Sequence, residues 1–367
     1  MLVDGKGSTL YDENEKKYID FGSGIGVTAF GICDSLWQNA VKAQLDKLQH
    51  VSNLYYTEPC AQLAALLCKK TGMKKVFFAN SGAEANEGAI KFARKYSFDR
   101  YGKGRATIIT LENSFHGRTV TTLSATGQEE FHTTFFPFTE GFKYCPANDS
   151  KALEGMITDD VCAIMIECIQ GEGGVINLTR EFTDTIKKLA EEKDILIIVD
   201  EVQTGNGRSG KYFAYEHFDL KPDIVTTAKG LGGGLPIGAV LFGEKTQDTV
   251  TPGSHGSTFG GNPIAAAGAI SIVKRINDRF LNEITKKGEY IKEYLLTIKG
   301  VKSVSGLGLM LGIETDKNAG DVAKECLNRG LLVLTAHNNK IRLLPALNIS
   351  YREIDKGLNI LKGVIEE

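Results

Sequence analysis

Lys229 stands in TTAKGLGGGLP (residues 226–236), where an apolar run ends on a cation and four of the next five residues are glycine. Asp200 stands in the same way at the end of DILIIVD (194–200) and is followed by a second carboxylate, Glu201. A charge closing an apolar segment is costly unless it meets a partner or a ligand. A third group lies in NSGAEANEGAIKFARK (80–95), where Ser81-x-x-Glu84 has the spacing of a capping box. The freed N–H groups of Gly82 and Ala83 there would face outward from a positive helix terminus, a natural seat for a phosphate.

These groups need elements that bring them together. Short apolar runs rich in β-branched residues occur at 74–80, 106–112, 161–167, 194–200, 222–228 and 237–243, separated by segments of helical period. Alternation of that kind predicts an α/β domain whose mainly parallel sheet is covered by helices on both faces. Ligands bind such sheets at the carboxyl ends of the strands. Lys229 follows Asp200 by 29 residues and comes after the next strand, so a βαβ step returns the chain to the same edge. An amine, a carboxylate and a phosphate seat on one edge are the requirements of pyridoxal 5'-phosphate: a lysine for its aldehyde, an acid for its ring nitrogen and N–H groups for its phosphate. Taken singly, each feature also has an ordinary structural explanation. Ser81 then only caps a helix, Asp200 bonds a loop or Arg208, and Lys229 is a solvated loop cation.

From about residue 265 the texture changes to long amphipathic helices and then short strands (GLGLMLGIE, GLLVLTA, KIRLLPA), which predicts a smaller α+β domain. The expected division is 1–45 as the N-terminal part of that small domain, 46–264 as the large domain and 265–367 as the rest of the small one. The 367 residues carry a net charge of -2, which offers no field for nucleic acid or anionic lipid and leaves small molecules as the expected partners. No apolar run approaches the roughly 18 residues of a membrane span, and the N-terminus lacks the order of a signal peptide, so a cytoplasmic protein is expected. Seven scattered cysteines and six scattered histidines show no metal-ligand spacing, and no metal site is expected. The glycines fit neither a P-loop, which needs its lysine after them, nor a dinucleotide fingerprint.

NSGAEANEGAIKFAR, SFHGRT, QGEGGV, DEVQTGNGRSG, TTAKGLGGGLPIGAV and HGSTFGGNP occur in this order from about residue 80 to 262. Together they resemble the class III pyridoxal-phosphate aminotransferases, the group of the ornithine and 4-aminobutyrate enzymes, over about residues 5–360. The resemblance implies fold type I, with Lys229 as the Schiff-base lysine and Asp200 as the partner of the ring nitrogen. Ser81, Gly82, Ala83, Phe115, Glu201, Val202, Gln203 and Thr258 would complete the cofactor site. Within that set, Phe115 and Val202 would pack on the ring, Gln203 would lie near its 3'-oxygen, and Thr258 would reach the phosphate of a neighbouring subunit in a homodimer. The resemblance further implies that Arg118 takes a substrate carboxylate, that Ser257 contacts substrate, and that Glu172 masks and unmasks Arg342. The implied reaction moves the distal amine of an ω-amino acid, N2-acetylornithine foremost, to 2-oxoglutarate, giving glutamate. Ornithine, succinylornithine and 4-aminobutyrate are the alternative donors. The chain departs from the family at FGICDSLW (30–37), at Cys168 where relatives carry proline, and in a shorter segment before GKGS. These departures bear on fine specificity rather than on the chemistry.

Overall fold

A computed structural model describes residues 1–367. Seven strands form the central sheet in the spatial order Lys75–Ala79, Gly238–Phe242, Ile224–Thr227, Leu196–Asp200, Val161–Ile166, Thr107–Leu111 and Phe142–Cys145. Five of the neighbouring strands run parallel, and Gly238–Phe242 lies antiparallel to both of its neighbours. Six of the strands are those expected from the apolar runs. The seventh, FKYC, is short and only partly buried, and so left no continuous apolar signal.

Alternation within each strand divides the core between the two faces. Leu196 and Ile198 pack with Ile108, Ile224 and Val240 against Ala85, Ala89 and Phe92 of the Gly82–Tyr101 helix. Ile197 and Val199 face the other way, toward the cluster that holds Phe182 and Ile186 of the Arg180–Lys193 helix. Burial on both faces explains why these strands read as unbroken apolar runs.

The N-terminal strands Leu2–Lys6, Thr9–Asp12 and Lys17–Asp20 form a second sheet, completed by Leu331–Leu332 from near the other end of the chain. A third sheet contains Val301–Leu307, Met310–Thr315, Leu334–Ala336 and Lys340–Leu343. GLLVLTA, expected as one strand, is thus divided between two sheets at Val333. The long amphipathic stretch after residue 265 is likewise two helices, Pro263–Arg275 and Asp278–Leu295, because Asn277 accepts the N–H of Phe280 and starts a second helix. No helix is long and apolar enough to cross a membrane.

Candidate active site

The carboxyl ends of the strands open on a cavity of about 420 Å³. Its lining includes Ser81, Gly82, Ala83, Phe115, Arg118, Asp200, Val202, Gln203 and Lys229, so nine of the residues singled out by sequence meet there. Asn86, His116 and Glu167 join them, and no role had been expected of these three.

At the phosphate-seat end, Ser81 is extended and its Oγ accepts the N–H of Glu84 at 3.1 Å. The N–H of Ala85 goes to the Ser81 carbonyl. The Glu84 carboxylate reaches back past Ser81 to the backbone and side-chain N–H groups of Asn80, both at 2.8 Å. This arrangement leaves the N–H groups of Gly82 and Ala83 as the free donors of a helix terminus. Gly82 has a steric reason to be glycine, since a Cβ there would stand 2.6 Å from Val202 Cγ1.

Asp200 is buried and tightly held. Asn86 Nδ2 donates to its Oδ2 at 2.7 Å, His116 Nδ1 lies 2.8 Å from the same oxygen, and the N–H of Val202 donates to Oδ1 at 2.9 Å. Arg208 is not a partner, for it donates instead to the carbonyls of Leu309 and Pro345. Asn86 is itself fixed, donating to the His116 carbonyl and accepting from Thr226 Oγ1, each at 2.7 Å. Glu167 lies beneath this group and accepts the N–H of Phe115 at 3.0 Å and that of Gly171 at 3.3 Å. Burial pushes its carboxyl upward and the nearby Asp200 adds to this, while His116 opposes both.

The strands ending at Asp200 and Thr227 are parallel neighbours, which is why the carboxylate and Lys229 share an edge. Their connection holds only a short helical turn, Ala214–Phe218, in place of the expected full helix. Lys229 has φ of +43°, a left-handed conformation that costs a long side chain energy and here aims it into the cavity. Burial drives its ammonium below the ordinary lysine range, and the pull of Glu172 and Asp200 in the other direction does not cancel that effect. A neutral amine, the form able to attack a carbonyl, is thereby favoured.

The glycines after Lys229 serve unequal ends. Gly233 and Gly234 take φ of +60° and +126°. Gly232 has ordinary angles, yet a Cβ on it would stand 2.1 Å from the Leu235 carbonyl oxygen. Gly230 sits in an ordinary helical turn. Trp37, from the divergent FGICDSLW segment, braces this loop by donating Nε1–H to the Gly232 carbonyl at 3.0 Å.

A second cavity of about 450 Å³ shares Phe115, Arg118 and Lys229 with the first and adds Glu172, Phe131 and His337. Arg342 lies buried behind Glu172 and grips it with both ends of its fork, at 2.7 and 3.1 Å. Gln203 closes this ring: its Oε1 accepts from Arg342 at 3.0 Å and its Nε2 donates to Glu172 at 3.2 Å. Burial works against ionisation of Glu172, but the Arg342 bonds and charge, with help from Lys229, hold its carboxyl below the usual range.

Besides Arg342, which lies behind Glu172, three expected site residues line neither cavity. Glu201 points away and is buried, accepting from the Thr204 hydroxyl and the N–H of Tyr215. Ser257 Oγ accepts the N–H of Gly260 at 3.0 Å in its own turn and Nδ2–H of the cavity residue Asn80 at 3.3 Å. Thr258 is exposed.

Fold and site together place a buried amine, a carboxylate and a free helix terminus at the carboxyl edge of an α/β sheet. A profile of the family "Aminotransferase class-III" matches residues 1–365. Among curated relatives, the acetylornithine aminotransferase of Haemophilus ducreyi is 52% identical over 369 residues, spanning 100% of this chain and 94% of the relative. That of Caldanaerobacter subterraneus subsp. tengcongensis is 48% identical, spanning 100% and 95%. Among solved structures, N-acetylornithine aminotransferase from Stenotrophomonas maltophilia superposes with a TM-score of 0.87 at 35% identity, covering 99% of this chain and 94% of the other. Ornithine aminotransferase from Toxoplasma gondii superposes at 0.95 with 30% identity, covering 100% and 90%. The chain belongs to the class III aminotransferases.

Proposed function

We propose that this chain transfers the δ-amino group of N2-acetyl-L-ornithine to 2-oxoglutarate, giving N-acetyl-L-glutamate 5-semialdehyde and L-glutamate, a step of arginine biosynthesis in the cytoplasm. The observation that carries the reading is the meeting of Lys229, Asp200 and the free N–H groups of Gly82 and Ala83 in one cavity.

These residues fit pyridoxal 5'-phosphate. Lys229 Nζ is the amine for its aldehyde, Asp200 the acceptor for a ring N–H, and Gly82 and Ala83 the donors for its phosphate. Val202 and Phe115 supply apolar and aromatic surface to a flat ring. When bound, the group withdraws electrons from the carbon that bears the donor's amine. The chain's own part is then to bind and to move protons. Asp200, fixed by its three donors, can hold a proton on a ring nitrogen without turning. Lys229, whose ammonium burial disfavours, takes the proton from the donor's δ carbon at Nζ and passes it on rather than back. Arg118 offers its fork to the donor's carboxylate. The acceptor's α-carboxylate would be taken by Arg342 after Glu172 swings away, which lets one site serve two substrates in turn.

Thr258 and Phe259 are exposed on a turn that Asn53 and the cavity residue Asn80 hold, and Leu54, Tyr55 and Tyr56 are also strongly exposed. So much apolar surface near the site supports a homodimer in which Thr258 and Ser257 serve the partner's site.

The test is kcat/KM for four donors with 2-oxoglutarate. N2-acetylornithine should lead ornithine, succinylornithine and 4-aminobutyrate. A different leader would replace the substrate while leaving the transaminase intact.

A further inference from the structure

Arg118 is exposed within the shared wall of the two cavities, and its guanidinium has no hydrogen-bond acceptor and no carboxylate partner. A free arginine of this kind would ordinarily sample many rotamers and lose entropy on binding. Here two aromatic rings hold it. Its Cζ lies 4.2 Å from the centre of the Phe131 ring and 5.4 Å from that of Phe115, and the two rings meet edge to face at 6.3 Å and 72°. The guanidinium therefore sits in an aromatic corner, attracted to the faces of the rings while its N–H groups remain free.

The segment that carries Phe131 is anchored to the loop that carries Arg118. Gln128 Nε2 donates to the Ser114 carbonyl at 3.0 Å, Ser114 Oγ accepts the N–H of Gly127 at 3.0 Å, and the His132 ring lies 3.0 Å from the Leu123 carbonyl. Phe131 itself stands in the short turn Glu129–His132. Two tethers just before this turn and one at its end are more than a surface loop requires. They fix where the Phe131 ring lies relative to Phe115, whose own N–H is bonded to Glu167.

We propose that Phe131 is a positioning residue for substrate recognition: by stacking on Arg118 it holds the guanidinium fork ready for the donor's carboxylate. The inference rests on the reading of Arg118 given above. It adds a residue that touches no reacting atom and that no charge pattern in the sequence points to. Because the ring acts only through Arg118, its effect must depend on the substrate having a carboxylate.

The experiment compares N2-acetylornithine with N-acetyl-1,4-diaminobutane, the same amine lacking the carboxylate, in the holoenzyme. Phe131→Leu should lower kcat/KM for N2-acetylornithine about 5-fold, through KM, and leave that for the decarboxylated donor unchanged. Phe131→Tyr, which keeps an aromatic face, should restore the wild-type KM. In an Arg118→Ala background, Phe131→Leu should cost nothing further. Equal losses on both donors would make Phe131 a merely structural residue and overturn the inference, as would no loss on either. Loss with Arg118→Ala but none with Phe131→Leu would overturn this inference alone. No loss with Arg118→Ala would instead remove the reading of Arg118 on which it stands.

Discussion

The interior end of the cavity and its rim are built on opposite plans. Asp200 is 3% exposed and has three donors converging on its two oxygens. Toward the outside, Arg118 has free N–H groups, and Thr258 is exposed and lines neither cavity. The interior is pre-organised by hydrogen bonds within a single chain, as electrostatic catalysis requires. The rim keeps its polar groups uncommitted, as binding sites must if each incoming carboxylate is to find a donor. The same contrast separates two arginines. Arg342 is buried and already paired with Glu172, whereas Arg118 is exposed and has no carboxylate partner.

The largest expected effect tests this division directly. Lys229→Ala should reduce turnover by at least roughly 10⁴-fold, since the proposed mechanism makes the amine both nucleophile and proton carrier. Thr258→Ala should also impair the enzyme, through cofactor affinity. If the interior belongs to one chain and Thr258 to its partner's site, mixed dimers of the two variants contain one site with both residues intact. Mixing the subunits under exchange conditions should then regain activity that neither variant has alone. No recovery, in dimers shown to have exchanged, would place Thr258 in the site of its own chain or in none.

How far the sequence reveals this architecture depends on whether a residue's role is set locally. Asp200 and Lys229 are legible because each ends an apolar run, and the edge of a parallel sheet is where such ends meet. Glu167 carries the same signal at the end of VCAIMIE, and reading that run in the same way would have found it. His116 and Asn86 carry no such sign. They meet Asp200 across 84 and 114 residues of chain, and nothing in a single histidine or a helical asparagine announces a distant carboxylate. The division of GLLVLTA between two sheets is hidden for the same reason, since pairing partners of Leu331 and Leu334 lie in opposite directions along the chain.

A smaller effect is expected where the interior leans on the divergent N-terminal segment. Trp37 from FGICDSLW donates to the Gly232 carbonyl and packs against Gly233 and Gly268. Trp37→Phe keeps an aromatic ring but removes the donor, leaving a partly buried carbonyl unpaired. The loss should be about 1 kcal/mol of stability, read as a midpoint shift in chemical denaturation of the holoenzyme. Loosening of the Lys229 turn should lower kcat more than it raises KM. If KM rises and kcat holds, the segment acts on substrate rather than on the lysine.

The smallest effect concerns Glu201, which adjoins Asp200 but belongs to neither interior site nor rim. Its carboxyl is fully buried, and burial pushes it from 4.5 up to about 7, against the bonds from Thr204 and the backbone. The folded protein therefore binds this proton more tightly than the unfolded chain does. Its contribution to stability is whole below a pH of about 4.5 and is lost as pH rises to about 7. Glu167, also raised, acts in the same direction, so removing one of them should leave part of the slope. Glu201→Gln keeps Oε1 as the acceptor for the Tyr215 N–H and turns an Nε2–H donor toward the Thr204 hydroxyl oxygen, as the protonated acid would, while removing the titration. The variant's melting temperature should fall less steeply than the wild type's across that window, with turnover nearly unchanged because Glu201 lines no cavity. Equal slopes would mean that Glu201 stays ionised in its buried site, held by its hydrogen bonds; a large loss of turnover would bring it back into the cofactor site.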